Sequence, residues 1–222
     1  HTTTNVIEKW DEMKLHEDLL RGIYAYGFDA PSEIQKKSII PIIENRDVIA
    51  QAQSGCGKTG SFTIGSLQRI NFTKTKPQVL ILSPTHELVN QTTEVIKGIG
   101  NFMKSLSVKS LIGGTSIRDD KQFLQDHSPQ IVVGTVGRVL DMIEKRFLDI
   151  SELSLFVLDE ADEMLSQGFS EKIKHMFHSY LPVNTQVVLF SATMPPDILN
   201  LTRSFMNSPV SILMEKEQLS LQ

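Results

Sequence analysis

Seven stretches of four or five residues, at 48–52, 79–83, 108–112, 131–135, 155–159, 187–191 and 210–213, draw most of their residues from Val, Ile and Leu, and longer segments of mixed polarity separate them. A strand reads this way when both of its faces are buried, as in a parallel sheet covered by helices. The segments at 87–102 and 170–181 repeat apolar residues every three and four positions, the period of an amphipathic helix. Two more helical stretches, about 16–26 and 32–44, precede the first strand and flank the turn Gly27-Phe-Asp-Ala-Pro31. The expected class is α/β, with about seven mostly parallel strands and helices on both faces. A chain of 222 residues is expected to form one domain around one large core.

The first strand runs into Gln53-Ser-Gly-Cys-Gly-Lys-Thr59, after which a helical pattern begins. Gly55 and Gly57 let backbone N–H groups converge on an anion, and the helix N-terminus adds its dipole. Lys58 is then placed for the outer phosphates of a nucleotide and the Thr59 hydroxyl for Mg²⁺. The usual pattern opens with glycine, a position held here by Ala52. A glycine turn that binds nothing is the alternative. Cys56 falls inside this loop; a small residue touching phosphate through its backbone suits it better than redox chemistry, because no partner thiol exists.

The run at 155–159 delivers Asp159-Glu-Ala-Asp162 at its carboxyl end, the edge where ligands bind in open α/β sheets. Asp159 is expected to position Mg²⁺ through water, and Glu160 to orient and deprotonate an attacking water. Acidic residues also favour the first turn of a helix, so the same letters can open a solvated helix.

Composition narrows the setting. The formal net charge is −4, so any contact with nucleic acid must be local rather than drawn by a global positive field. Forty per cent of the residues are hydrophobic and 22 per cent charged, outside the range of disordered chains. One cysteine excludes an internal disulfide and a cysteine-rich metal site. No apolar run approaches the roughly 18 residues of a membrane span. Three matches to the glycosylation pattern, at Asn71, Asn90 and Asn200, are discounted because that pattern is common by chance. Because residue 1 is histidine, the sequence is expected to be a segment of a longer polypeptide.

Together these motifs resemble the DEAD-box RNA helicase family, and the resemblance spans nearly the whole chain. Its Q motif is matched by Gly27-Phe-Asp-Ala-Pro-Ser-Glu-Ile-Gln35, with an upstream aromatic at Trp10. The resemblance implies that Gln35 reads the adenine edge and that the Trp10 indole stacks on the base. With the loop residues Ser54, Gly55, Cys56, Gly57, Lys58 and Thr59 they complete an expected ATP site. Pro84-Thr-His-Glu-Leu88, Gly113-Gly114 and Thr135-Val-Gly-Arg138 are similar to the family's RNA-backbone motifs. Pro84, Thr85, His86, Gly113, Gly114, Thr135, Gly137 and Arg138 are accordingly the expected RNA contacts, sequence-independent and directed at phosphates. Ser191-Ala-Thr193 resembles the motif that couples hydrolysis to RNA release, through hydrogen bonds to Asp162; a Ser/Thr helix cap is its plain structural reading.

The implied fold is a RecA-like P-loop domain: Q-motif helices over 1–45, the first helicase domain over 46–214, and the start of an interdomain linker over 215–222. Within the family the segments at 22–27, 46–51, 159–165 and 185–189 look most like the initiation-factor 4A subfamily and its nuclear relatives. The resemblance implies ATP and Mg²⁺ as cofactors. It implies RNA, a second RecA-like domain and a scaffold protein of the cap-binding complex as partners, with no membrane. It further implies a monomer, located in the cytoplasm, with the nucleus as the other option. No His-Arg-x-Gly-Arg segment of the family's second domain occurs in these residues, so the chain alone is expected to hydrolyse ATP barely and not to unwind a duplex. An RNA clamp serving as an assembly platform is the runner-up function, and an unrelated phosphate-loop kinase the remote one.

Two positions depart from the family pattern. His86 stands at the usual arginine and Val136 at the usual proline. Arginine is always charged and forks onto phosphate, whereas an unperturbed histidine titrates near pH ~6.5; lower and pH-sensitive RNA affinity is the expectation. Valine gives up the fixed φ that suits a first helical position, without evident functional meaning.

Overall fold

The computed structural model describes residues 6–53, 55 and 57–214. After a 3₁₀ turn at Trp10–Met13 come α1 (Glu17–Tyr26), α2 (Glu33–Ile43), β1 (Val48–Gln51), α3 (Lys58–Gln68), β2 (Val79–Leu82), α4 (His86–Ile99), β3 (Val108–Leu111) and α5 (Ile117–Asp126). The second half contributes β4 (Ile131–Gly134), α6 (Val136–Glu144), β5 (Leu155–Leu158), α7 (Ala161–Ser166), α8 (Ser170–Tyr180), β6 (Gln186–Ser191), α9 (Pro196–Phe205) and β7 (Val210–Leu213). All seven expected strands form, most of them one residue shorter at the carboxyl end than the apolar run. The expected linker lies outside the described residues.

The strands make one sheet in the order β3-β4-β2-β5-β6-β1-β7, and every pairing is parallel. Side chains alternate strictly between its faces. Val79, Ile81, Leu155, Val157, Val188 and Phe190 enter one core beneath α1 to α4. Leu80, Leu82, Phe156, Leu158, Val187 and Leu189 enter a second core beneath α6 to α9. This two-sided burial is why the strand sequences read as unbroken apolar runs rather than alternating ones. Among the described residues no helix is long and apolar enough to cross a membrane.

Because all the strands point the same way, every strand exit falls on one rim. The order of strands divides that rim. The exits of β1, β5 and β6 are neighbours, and so are those of β2, β4 and β3. The first trio carries the expected phosphate, metal and coupling residues, and the second the expected RNA residues.

Local signals fix the helix starts. Thr85 caps α4 by accepting from the Leu88 N–H at 3.2 Å, and Ser116 caps α5 by accepting from Asp119 at 3.2 Å. At α2, Ser32 and Gln35 form a capping box in which the Ser32 N–H donates to Gln35 Oε1 at 2.8 Å. Val136 opens α6 and is 1 % exposed. Its side chain fills the second core, which gives the valine the structural role that a comparison with proline alone leaves out.

Candidate functional site

The turn after β1 needs glycine twice. Gly55 and Gly57 have φ of 84° and 90°, a region in which a side chain is strained. A Cβ on Gly57 would also lie 2.7 Å from Ser32 Oγ and 2.9 Å from Gln35 Nε2. Gly57 caps α3, so Lys58 and Thr59 occupy its first turn. Ser54 and Cys56, expected in the same loop, lie outside the described residues.

Lys58 reaches across the rim to the end of β5. Its Nζ lies 3.3 Å from Asp159 Oδ1 and 3.2 Å from Glu160 Oε1. Burial works against the ammonium, but the two carboxylate charges outweigh it and hold the lysine above its usual pKa. Asp159 is 2 % exposed, and burial pushes its carboxyl up; Lys58 opposes this and the Glu160 charge adds to it. The Lys58 ion pair is not an aligned hydrogen bond, and Asp159 Oδ1 is a buried atom without a hydrogen-bond partner among the described residues. Glu160 sits at φ 51° and ψ 53°, a left-handed conformation that costs a non-glycine residue on the order of 1–3 kcal/mol. That backbone turn lets adjacent carboxylates meet the same ammonium from different directions.

The donor set suits a hard cation completed by phosphate. No cluster of three acidic, histidine or cysteine side chains among the described residues could hold a metal by itself. Mg²⁺ typically takes one or two protein oxygens, several waters and the phosphates of its nucleotide. The buried Asp159 Oδ1, which faces the Lys58 ammonium without an aligned hydrogen bond, and the half-buried Thr59 hydroxyl fit that pattern.

Beside this cluster, Asp162 is tied to the end of β6. Its Oδ2 accepts from the Thr193 hydroxyl at 2.9 Å and from the Thr193 N–H at 3.2 Å. Ser191 Oγ accepts from the Asp162 N–H at 3.3 Å and donates to the Thr193 carbonyl at 2.7 Å. The structure thus brings the three expected coupling residues into one network.

On the other half of the rim, the exposed His86 opens α4, and its Nε2 lies 3.6 Å from where a Cβ on Gly113 would stand. Gly114 is exposed with φ of 84°. Thr135 caps α6 through its backbone only, leaving its half-exposed side chain out of the cap, and Gly137 follows, half-exposed, with open space around it.

A family model described as DEAD/DEAH box helicase matches residues 32–201. The chain belongs to this family. It is 55 % identical over 97 % of its length to "ATP-dependent RNA helicase eIF4A" of Pyricularia oryzae, and 52 % identical over 98 % to the protein of the same name in Candida albicans, covering 54 % of each. It therefore spans about half the length of the curated relatives it matches. Among solved structures, a DEAD box protein from Methanococcus jannaschii superposes with a TM-score of 0.89 at 34 % identity, over 94 % of this chain and 56 % of that one. A variant of S. cerevisiae Dbp5 bound to RNA and ADP BeF3 gives 0.84 at 34 %, over 93 % and 52 %.

Four DEAD-box expectations are corrected or narrowed by the geometry. Trp10 is completely buried, its Nε1–H donating to the Phe28 carbonyl at 3.2 Å and its ring stacked on Phe28 at 6.3 Å. No face of the indole is open to a base, because this aromatic anchors the amino-terminal segment to the core. The half-buried Phe28, which the sequence reading left without a role, lies beside Gln35: a Cβ on Gly60 would stand 2.7 Å from Gln35 Nε2 and 3.2 Å from the Phe28 ring. Gln35 itself is engaged, donating from Nε2 to the Gly57 carbonyl at 3.2 Å while its Oε1 serves the helix cap.

Pro84 is buried, so it shapes the entry to α4 instead of offering a contact. Arg138 is not a free phosphate donor. Its Nη1 donates to Asp120 Oδ2 at 2.9 Å and to Thr115 Oγ1 at 3.0 Å, and its Nη2 to the Thr115 carbonyl at 2.9 Å. Asp120 is 4 % exposed and also pairs with Lys109 at 2.9 Å. Arg138 is therefore a brace that holds the segment after Gly113-Gly114. Asp120 and Thr115 were invisible to motif reading, since an acid in the first turn of a helix carries no sign that an arginine 18 residues on will seek it.

Proposed function

We propose that this chain is the nucleotide-binding, RNA-engaging amino-terminal half of an ATP-dependent RNA helicase of the initiation-factor 4A type. One observation carries the reading: Lys58, from the phosphate loop, meets Asp159 and Glu160, from the end of β5, within 3.3 Å at a common rim. Nothing in the packing of the core requires an ammonium and two carboxylates there. Their burial costs free energy that a bound Mg²⁺–triphosphate would recover, by exchanging the internal ion pairs for phosphate and metal contacts.

In the nucleotide complex Lys58 would leave the carboxylates for the outer phosphates, with the backbone after Gly55 and Gly57 and the α3 dipole beneath them. Asp159 and Thr59 would hold Mg²⁺, which neutralises charge on the phosphate oxygens. Glu160 would orient the attacking water and accept its proton. Gln35 and Phe28 would address the base. Thr85, His86, Gly113, Gly114, Thr135 and Gly137 would meet an RNA backbone along the neighbouring half of the rim, with Arg138 bracing that surface. The similar Dbp5 variant is bound to RNA and ADP BeF3, which supports a reading with both a nucleotide and RNA.

The full helicase would join this unit to a second RecA-like domain and work in the cytoplasm with a cap-binding scaffold. Loss of an arginine supplied by a second domain typically costs about 10³–10⁵ in turnover, so the unit alone would bind ATP weakly and turn it over barely. Calorimetric titration of Mg-ADP and Mg-GDP, with RNA-stimulated hydrolysis by the two-domain polypeptide, tests the reading. Adenine-selective binding and saturable stimulation by RNA are expected. A chain that binds no adenine nucleotide, or turnover indifferent to RNA, overturns it.

A further inference from the structure

Ser83 stands one residue beyond β2 and is completely buried, yet its hydroxyl has no hydrogen-bond partner among the described residues. Leaving a buried hydroxyl unpaired is costly, and native structures generally avoid it. An alanine would fill nearly the same space.

The register shows what this hydroxyl faces. Strand β2 pairs with β5 so that Leu82 lies opposite Leu158, and the Asp159 N–H continues the ladder by donating to the Leu82 carbonyl at 2.9 Å. One step further, Ser83 and Asp159 are lateral neighbours on strands about 4.8 Å apart. Both share parity with Ile81 and Val157, which enter the core beneath α1 to α4. That is the face from which Lys58 approaches. Ser83 and Asp159, each with a buried polar atom that has no hydrogen-bond partner among the described residues, thus occupy neighbouring strands on one face of the sheet.

We infer that Ser83 is a positioning residue for the carboxylate of Asp159, its hydroxyl donating to Oδ1 through one enclosed water. Lys58 Nζ, 3.3 Å from Oδ1, supplies a further polar group for such a water, which needs two to four partners. The donated hydrogen bond holds the carboxylate in one rotamer when Lys58 turns away toward phosphate. Without it Asp159 swings between orientations, and the metal loses a fixed oxygen. The role rests on the nucleotide reading above and adds to it a residue outside the phosphate-loop and Asp-Glu-Ala-Asp motifs.

The test is Ser83→Ala in this chain, with Mg-ADP affinity by calorimetry, ADP affinity in excess EDTA, thermal melting and a crystal structure of the unliganded wild type. A hydrogen bond to a charged group lost from the metal-holding arrangement is expected to weaken Mg-ADP binding about tenfold. Binding in EDTA is expected to be unchanged, and the crystal is expected to show a water bridging Oγ and Oδ1. Equal loss with and without Mg²⁺ would mean a merely structural role and overturn the inference. So would unchanged Mg-ADP affinity with a raised melting temperature, the result of removing a hydroxyl that never had a partner. If the wild type binds no nucleotide under either condition, the functional reading fails and the crystal decides the Ser83 contact alone: a water-bridged Oγ upholds it, an isolated one ends it.

Discussion

Lys58 and Asp159 face each other at 3.3 Å with both side chains withdrawn from solvent, and Glu160 is the only other carboxylate paired with that ammonium among the described residues. An internal ion pair of this kind loses much of its Coulombic gain to desolvation, but removing one partner strands the other.

Replacing Lys58 with alanine is therefore expected to lower stability by roughly 3 kcal/mol near pH 8, besides removing nucleotide affinity. Burial already holds Asp159 above the usual carboxylate value, and losing the ammonium raises it further. A folded-state acid with a raised pKa binds its proton more tightly than the unfolded chain does. Its contribution to stability is thus most favourable at low pH and is lost as pH rises through the folded pKa. The raised pKa of Lys58 acts in the same direction at higher pH, its contribution fully present below the unfolded lysine value and lost as pH rises through the folded one. Urea unfolding at pH 5 and pH 8 should show the variant's deficit shrinking toward pH 5. A deficit that is the same at both values would mean the carboxylates are solvated without the lysine.

Gln35 closes the cap of α2 with one end of its amide and holds the Gly57 carbonyl with the other. The base-reading position and the phosphate loop are thereby one mechanical unit. Gln35→Ala is expected to cost about 1 kcal/mol, the usual loss of a helix cap, and to reduce the preference for ADP over GDP. Competition calorimetry measures the second effect. A variant with the cap penalty and full adenine preference would assign base selection elsewhere.

What could be read in advance divides along physical lines. The strands were legible because burial on both faces leaves continuous apolar runs, and the phosphate loop because glycine at positive φ before a helix is a local requirement. The acidic cluster was legible because Asp159 and Glu160 follow an apolar strand directly. The intramolecular partners of Trp10 and Arg138 escaped the sequence for the same reason as each other: Phe28 and Asp120 lie 18 residues away in the chain, and nothing local announces a stack or an ion pair across that distance. Ser83 was legible as a letter beside Pro84 but not as a polar atom without a partner, which only burial reveals.

Arg138 engages Asp120 and both the hydroxyl and carbonyl of Thr115. Arg138→Lys preserves charge but not the planar fork. It is expected to lose roughly 2 kcal/mol of stability, less than a fully stranded pair because Lys109 still serves Asp120. In Arg138→Gln, which removes the charge, RNA affinity of the two-domain protein should fall while the slope of log affinity against log salt stays the same, because the arginine shapes the Gly113-Gly114 segment without touching phosphate. A slope smaller by about 0.7, the value for one lost contact on a single strand, would return Arg138 to the list of direct contacts.

His86 lies over Gly113 at the exposed start of α4. His86→Arg is expected to strengthen RNA binding in the two-domain protein and to steepen its salt dependence by about 0.7. Fluorescence anisotropy against salt, at pH 6 and pH 8, separates the charge gained from the shape changed. An unchanged slope at both values would place the side chain outside the nucleic-acid interface.

Thr193 gives Asp162 two of its hydrogen bonds, from the hydroxyl at 2.9 Å and from the N–H at 3.2 Å. Only the first depends on the side chain. Thr193→Ala should therefore leave the turn after β6 in place, at a stability cost of about 1 kcal/mol for one hydrogen bond near the surface. Asp162 belongs to the same turn as Glu160, whose left-handed backbone aims the expected catalytic base. Loosening Asp162 should disturb that aim less than it disturbs the tie between β5 and β6. In the two-domain protein the expected result is ATP hydrolysis retained within a few fold and duplex separation per ATP clearly reduced. Valine at 193 should behave as alanine does, and serine should restore the yield. Parallel loss of hydrolysis and unwinding in both variants would show that the network serves the chemistry at Glu160 and not its transmission.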